Sequence, residues 1–236
     1  MTASKAIKID CAGYATAADW YEGKKDSPIL LNLSGYSSTK ARYVPFIEKI
    51  VSITGASVLA LDLSGHGESP FKLEDVSPAQ NFIEVVAAFD WLKNKFPKRK
   101  IWVMGTSYGG FLASQLTKYR EFDKLVLRVP AIYRPQNFYT KWGDYNPDEE
   151  LGYRKNEKTI AKHPLLERAA NFKGRVLVVT HELDDVCPPN STAPFIHAFK
   201  ADHWEVKGFQ HSFGESKKTP EQEEAYYAKV AEWLKK

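Results

Sequence analysis

Gly105-Thr106-Ser107-Tyr108-Gly109 follows the apolar run Ile101-Trp102-Val103-Met104 and opens a helical pattern. A G-x-S-x-G placed between strand and helix puts its serine on a strained turn with Oγ exposed, while the glycines let chain segments pass close by. A serine hydroxyl is a poor nucleophile until a base takes its proton, so this pattern needs a histidine. Six are present. His66 lies in a Gly-flanked loop, His163 precedes Pro164 in a long connection, His181 ends an apolar run, His197 falls on a helix and His203 opens the last strand. His211 is placed best. It sits in Gly208-Phe209-Gln210-His211-Ser212-Phe213, a loop after the last strand and before the last helix, from which an imidazole can point back at the serine. A carboxylate should hold that imidazole and stabilise its charged form. Glu182, Asp184 and Asp185 all follow the run Val176 to Thr180, at the carboxyl edge where open α/β sheets build their sites. The chain order is then nucleophile, acid, histidine.

Elements must carry these loops. Short, nearly continuous apolar runs at 29–33, 58–61, 101–104, 125–127, 176–179 and 203–206 read as strands buried on both faces. An antiparallel pair, Ala6 to Cys11 and Tyr14 to Tyr21, precedes them around Gly13. Helical patterns run from Tyr43 to Ile53, from the N-cap Ser77 through Phe82, Val85, Val86, Phe89 and Leu92, and from Phe111 to Tyr119. Two more cover Thr192 to Phe199 and Pro220 to Leu234. The alternation predicts an α/β fold: a mostly parallel twisted sheet with helices on both faces. Residues 131–172 carry no strand signal, and Tyr133, Phe138, Tyr139, Trp142, Tyr145 and Tyr153 crowd the first half. A connection this long reads as an inserted cap or lid within one domain spanning 1–236.

Composition removes several classes of function. The 236 residues are 43% hydrophobic and 26% charged, which supports a folded core and not a disordered chain. Lys+Arg 33 against Asp+Glu 29 gives +4 with the charge scattered, so neither nucleic acid nor an anionic membrane is the expected partner. No run reaches the roughly 18 apolar residues of a membrane span, and the start has no apolar leader. Cys11 and Cys187 stand far apart without metal-type spacing, so neither a disulfide framework nor a metal centre is expected, and the reducing cytoplasm is the default location.

The whole chain resembles the α/β-hydrolase superfamily. The elbow 105–109, the loop Asp62-Leu63-Ser64-Gly65-His66-Gly67-Glu68-Ser69 and the segment Asp184-Asp185-Val186-Cys187-Pro188 carry the resemblance. The last is similar to the family's Asp-x-x-Val-Pro, with Cys187 in the valine place, and that register selects Asp184 as the acid. The resemblance also implies an oxyanion hole from the backbone N–H groups of Tyr108 and Tyr36, and a structural role for His66. Ser34 stands where many relatives have histidine. Together these readings predict a serine hydrolase that cleaves a carboxylic ester or related small acyl substrate through Ser107, Asp184 and His211, without cofactor. Arg128, Tyr139 and Trp142 are expected at its pocket, with a salt bridge to Asp144 or Glu149 as the other reading of Arg128. Amide or peptide hydrolysis uses the same three groups, and a ligand-binding protein on the same fold is the non-catalytic alternative. Dehalogenase chemistry would need a carboxylate where Ser107 stands.

Overall fold

Strand alternation sets the layers. In the computed structural model, which describes residues 3–11 and 13–236, successive residues of each central strand enter different cores. Leu125 and Leu127 pack on one face of the sheet and Val126 on the other. Met1, Thr2 and Ala12 lie outside the described residues. The eight strands are β1 (Ser4–Asp10), β2 (Ala15–Tyr21), β3 (Ile29–Leu33), β4 (Ser57–Leu61), β5 (Ile101–Thr106), β6 (Lys124–Arg128), β7 (Arg175–His181) and β8 (Asp202–Val206). Their order in the sheet is β1-β2-β4-β3-β5-β6-β7-β8. β1, β2 and β4 pair antiparallel, and β4, β3 and β5 to β8 pair parallel. After β4 the chain reverses its direction of travel across the sheet, so β3 and β5 flank a topological switch point, where the loops at the carboxyl ends part and leave a crevice.

Helices α1 (Val44–Thr54), α2 (Pro78–Lys95) and α3 (Tyr108–Leu116) lead the helical set. Between β6 and β7 lie three short ones, α4 (Pro147–Arg154), α5 (Glu157–Ala161) and α6 (Pro164–Glu167), and α7 (Pro189–Phe199), α8 (Phe213–Ser216) and α9 (Pro220–Lys235) complete it. The Ser77 hydroxyl caps α2 by accepting from the Gln80 N–H, with Pro78 in the first turn, as its sequence signature requires. α7 opens at Pro189, three residues before the expected Thr192, because Pro189 starts a helix without needing a partner for its missing N–H. Phe46, Ile47 and Ile50 of α1 meet Tyr226, Val230 and Leu234 of α9 on one face of the sheet. Val85 and Phe89 of α2, Phe111 and Leu112 of α3 and Phe195 of α7 cover the other.

Residues 131–172 contain no strand. They form single turns and the helices α4 to α6. Ile160, Leu165 and Leu166 sink into the core beneath them, and the Trp142 N–H donates to the Val76 carbonyl. None of the helices among the described residues is long and apolar enough to cross a membrane.

Two buried histidines make folding pH-dependent. His163 Nδ1 accepts from the Leu165 N–H at 3.0 Å, and Nε2–H donates to the Tyr133 carbonyl at 2.9 Å. These roles require a neutral ring, and burial pushes its pKa down to about 4. Burial likewise pushes His181 down to about 3, with Nδ1–H donating to the Gln210 carbonyl and Nε2 accepting from the Tyr226 hydroxyl. An unfolded histidine takes up its proton near ~6.5, so the stability these rings contribute is complete above that pH and is lost as pH falls toward the folded values. Melting temperatures measured from about pH 7.5 to about pH 4.5 should therefore fall less steeply for His163→Asn, which still offers an oxygen to the Leu165 N–H, than for the wild type. Parallel slopes would remove His163 from this account.

Candidate active site

Ser107 sits between β5 and α3 at φ 52° and ψ −112°, a backbone conformation that non-glycine residues rarely adopt. Four backbone hydrogen bonds hold it there. Its N–H donates to the Arg128 carbonyl of β6 at 2.9 Å, and its own carbonyl accepts from the N–H groups of Gly110 at 2.9 Å, Phe111 at 3.2 Å and Ala131 at 3.0 Å. Val129, at the end of the neighbouring strand, is also at positive φ (42°), which is unusual for a β-branched residue, and its N–H bonds to Val179. The two glycines of the turn are needed for space. A Cβ on Gly109 would lie 2.3 Å from the Leu33 carbonyl oxygen, and one on Gly105 would lie 2.1 Å from the Gly109 oxygen. The elbow therefore presses directly onto the end of β3.

Ser107, His211 and Asp184 are joined in one chain of hydrogen bonds. His211 Nε2 lies 3.0 Å from Ser107 Oγ, and His211 Nδ1 lies 2.8 Å from Asp184 Oδ2. The other oxygen, Asp184 Oδ1, accepts from the N–H groups of Val186 (3.0 Å) and Cys187 (2.7 Å), so the turn after β7 orients the carboxylate. Asp184 is buried and Asp185 is exposed. The loops after β7 and β8 are tied by the Leu183 N–H donating to the Phe209 carbonyl at 2.8 Å. With Nδ1–H donating to the carboxylate, Nε2 is left to accept the serine proton, which is the arrangement nucleophilic acyl transfer uses. Burial pushes the Cys187 thiol up to about 12, so it stays protonated beside this turn and is no competing nucleophile.

The serine opens into a cavity of about 620 Å³. The loop after β3 forms one wall: a Cβ on Gly35 would lie 3.6 Å from the Ser107 Cβ. The Tyr36 ring packs edge-on against Trp142 and His66. Neither the Tyr36 nor the Tyr108 N–H donates to another backbone or side-chain group among the described residues. Trp142 and Arg128 line the cavity, as does Tyr145. Tyr139, expected at the pocket, is 79% exposed and packs on Phe138 outside the cavity wall, because the turn 135–139 points it at solvent. Arg128 forms no ion pair among the described residues. Of the two acids offered as its partners in the alternative reading, Asp144 does not pair with it, and Glu149 is taken with Glu150 by Arg134. No group of three His, Cys, Asp or Glu side chains among the described residues is placed to hold a metal ion.

His66 is a loop residue, as expected: buried, its Nδ1–H donating to the Ser64 carbonyl at 3.0 Å, its ring stacked on Tyr108 and its pKa lowered by burial. The groups that hold this loop escape sequence reading. Asp62 accepts from the Lys40 backbone N–H at 2.7 Å and from Lys40 Nζ at 3.1 Å, and the same Nζ reaches Glu68 at 2.8 Å. The buried Glu84 accepts from the Ser64 N–H, the Asn81 amide and the Tyr14 hydroxyl, and Asn81 in turn accepts from Tyr108. Burial raises the Glu84 pKa despite those donors. One signal was available: Asn81 and Glu84 interrupt the apolar stripe of α2 that continues through Val85, Ala88 and Leu92.

Because the Gly109 contact is with backbone, Gly109→Ala cannot be absorbed by a side-chain rotation. Urea denaturation should show a loss of about 3 kcal/mol or more, as overpacking against a rigid neighbour gives. A change under about 1 kcal/mol would mean that the elbow has more room than these contacts allow.

Comparison with known proteins agrees with this fold. An esterase of Pyrococcus furiosus superposes with a TM-score of 0.74 over 99% of this chain and 92% of that one, at 22% identity. The Butyrivibrio proteoclasticus protein Est1E, solved with ferulic acid bound, gives 0.73 over 95% of this chain and 97% of that one, at 17% identity. The acylaminoacyl peptidase of Pyrococcus horikoshii gives 0.71 at 16% identity over 99% of this chain but only 41% of its own. No curated protein sequence matches the chain. The family model for serine aminopeptidase S33 matches residues 24–146, from just before β3 to the turn leading into α4. That match covers more than half of the sequence, and with it the chain belongs to this family of α/β hydrolases and is a hydrolase.

Proposed function

We propose that the protein is a serine hydrolase that cleaves a carboxylic ester or related small acyl compound through an acyl-enzyme on Ser107. The observation that carries this reading is the unbroken hydrogen-bonded chain from Ser107 Oγ through His211 to Asp184. Ser107 Oγ attacks the acyl carbon as its proton passes to His211 Nε2, and Asp184 stabilises the imidazolium. The N–H groups of Tyr36 and Tyr108 receive the negative charge on the acyl oxygen, each worth roughly 3 kcal/mol in comparable sites. His211 returns its proton to the leaving alkoxide. It then takes one from the water that attacks the acyl-enzyme, and Ser107 recovers its proton when the acid departs. Residues 131–172 serve as a cap within a single domain, with Trp142 and Tyr145 closing the pocket beside the serine.

Peptide hydrolysis is the second reading, supported by the aminopeptidase name of the matched family. The cavity wall speaks against an aminopeptidase. Its Arg, Lys, Asp and Glu side chains are Arg42, Arg128, Arg154, Glu150 and Glu223, and Glu150 is already engaged by Arg134 and Asn137. A free α-ammonium group would meet net positive charge there.

A fluorophosphonate probe should label the wild type and leave Ser107→Ala unlabelled, and the variant should lose about 10⁴-fold or more in kcat/KM on p-nitrophenyl esters. Labelling that survives in Ser107→Ala would move the nucleophile elsewhere. Absence of labelling in the wild type would favour a binding protein. A series of p-nitrophenyl esters of increasing acyl length, run beside amino-acid p-nitroanilides, separates ester from peptide chemistry.

The neighbouring acids give a sharper contrast. Asp184→Asn should lose orders of magnitude in kcat/KM, because an amide cannot hold the imidazole in the required tautomer with the same charge. Asp185→Asn should stay within about threefold, its side chain being solvated. The reverse ranking would transfer the orienting role to Asp185.

A further inference from the structure

Arg128 occupies a place where strand alternation puts apolar residues. It follows Val126 on the face of the sheet covered by α1 and α9, and it is only 9% exposed. Its guanidinium lies 4.2 Å from the Phe213 ring centroid and 5.6 Å from that of Tyr226. The Tyr226 hydroxyl is its polar neighbour. No carboxylate pairs with it among the described residues, and its Nε has no hydrogen-bond partner. Burying an unpaired charge costs several kcal/mol, whereas an apolar side chain in the same position would cost none of it. An arginine cannot escape by releasing its proton.

The orphaned Nε is not isolated. Thr106 pairs in register with Arg128 across β5 and β6, and its Oγ1 is also buried without a partner. One row deeper, where Asn32 of β3 pairs with Met104, both amide atoms of Asn32 are unpartnered. Unsatisfied polar side chains thus gather on one face at the carboxyl ends of three adjacent strands, and Thr106 and Arg128 line the same cavity as Ser107. The Arg128 carbonyl receives the Ser107 N–H, so cation and serine share one backbone contact.

We infer that Arg128 is the anchor for a second, carboxylate-bearing end of the substrate, so that the preferred substrate is an ester carrying a negative charge away from the bond that is cleaved. A guanidinium with one face against Phe213 still offers its edge, and that planar fork matches a carboxylate with two parallel hydrogen bonds. Thr106 Oγ1 adds a third donor. The inference rests on the serine-hydrolase reading for the position of the scissile bond, but the anion site can be tested without it.

The decisive experiment compares kcat/KM in two matched pairs: p-nitrophenyl hemiglutarate against p-nitrophenyl valerate, and 4-acetoxybenzoate against phenyl acetate. The first places the charge on the acyl side and the second on the leaving side. The wild type should favour the charged member of at least one pair by about tenfold or more, and that ratio should fall by about tenfold in Arg128→Met and by less in Arg128→Lys. A wild type that favours the neutral member of both pairs, or a ratio that survives Arg128→Met, overturns the proposal. If Arg128→Met does not fold, inhibition of the wild type decides: glutarate should inhibit about tenfold more strongly than uncharged glutaramide, and equal potency would overturn the anion site. If the wild type turns over no ester and takes no probe, the hydrolase reading fails separately. Calorimetry with glutarate and benzoate then sustains the site through binding that weakens in Arg128→Lys, or overturns it through the absence of binding.

Discussion

The serine turn depends on how closely the backbone of residues 105–110 can approach its neighbours. Its carbonyls and N–H groups are held against β3 on one side and the end of β6 on the other, leaving no volume for a side chain at Gly105 or Gly109. Holding a non-glycine residue at positive φ costs on the order of 1 kcal/mol or more, and such strain persists only where surrounding contacts over-determine it. Here four backbone hydrogen bonds to Ser107 do so, and Val129 carries a second strained backbone at the end of the adjoining strand. The strained positions lie at the crevice between β3 and β5 and the strand beside it, where a parallel sheet leaves room for a ligand.

From that fixed point the other groups are located by strand ends. Asp184 and His211 leave the sheet after β7 and β8, and backbone hydrogen bonds between those loops, with the two N–H groups that grip Asp184 Oδ1, set the imidazole before any substrate arrives. On the far side of the serine, the loop 62–69 is held by Asp62, Lys40 and Glu84, all buried charges with several partners each. Removing one partner from such a network leaves an uncompensated charge, so these groups support the site through the loop without touching the serine.

Two treatments of buried polarity therefore stand side by side. Around Asp62 and Glu84 nearly every donor meets an acceptor, which makes the scaffold rigid. Along the row of Thr106 and Arg128 the side-chain partners are missing, and that row faces the cavity. Polar side chains left open along a row that lines a cavity have the polarity pattern of a binding surface.

Much was legible in the linear chain because the informative patterns are local. Period-two and continuous apolar runs located the strands within a residue or two at most ends, Ser77-Pro78 announced a helix start, and the glycines around Ser107 announced a close turn. The candidate acid was narrowed to Asp184 by resemblance, and in the fold the side chain at 184 faces His211 while the one at 185 faces solvent. Direction and partnership were not legible. Tyr139 and Trp142 sit three residues apart in the same aromatic stretch, yet a single turn sends one to solvent and the other to the cavity. Glu84, Lys40 and Arg128 are charges in apolar surroundings. Whether such a charge is neutralised depends on residues tens of positions away, as Glu84 meets Tyr14 and Ser64 while Arg128 meets no carboxylate among the described residues. Sequence determines which segments form strands and helices because those choices rest on neighbouring residues. Tertiary structure decides which buried charges find partners, because that depends on which distant segments the sheet brings together.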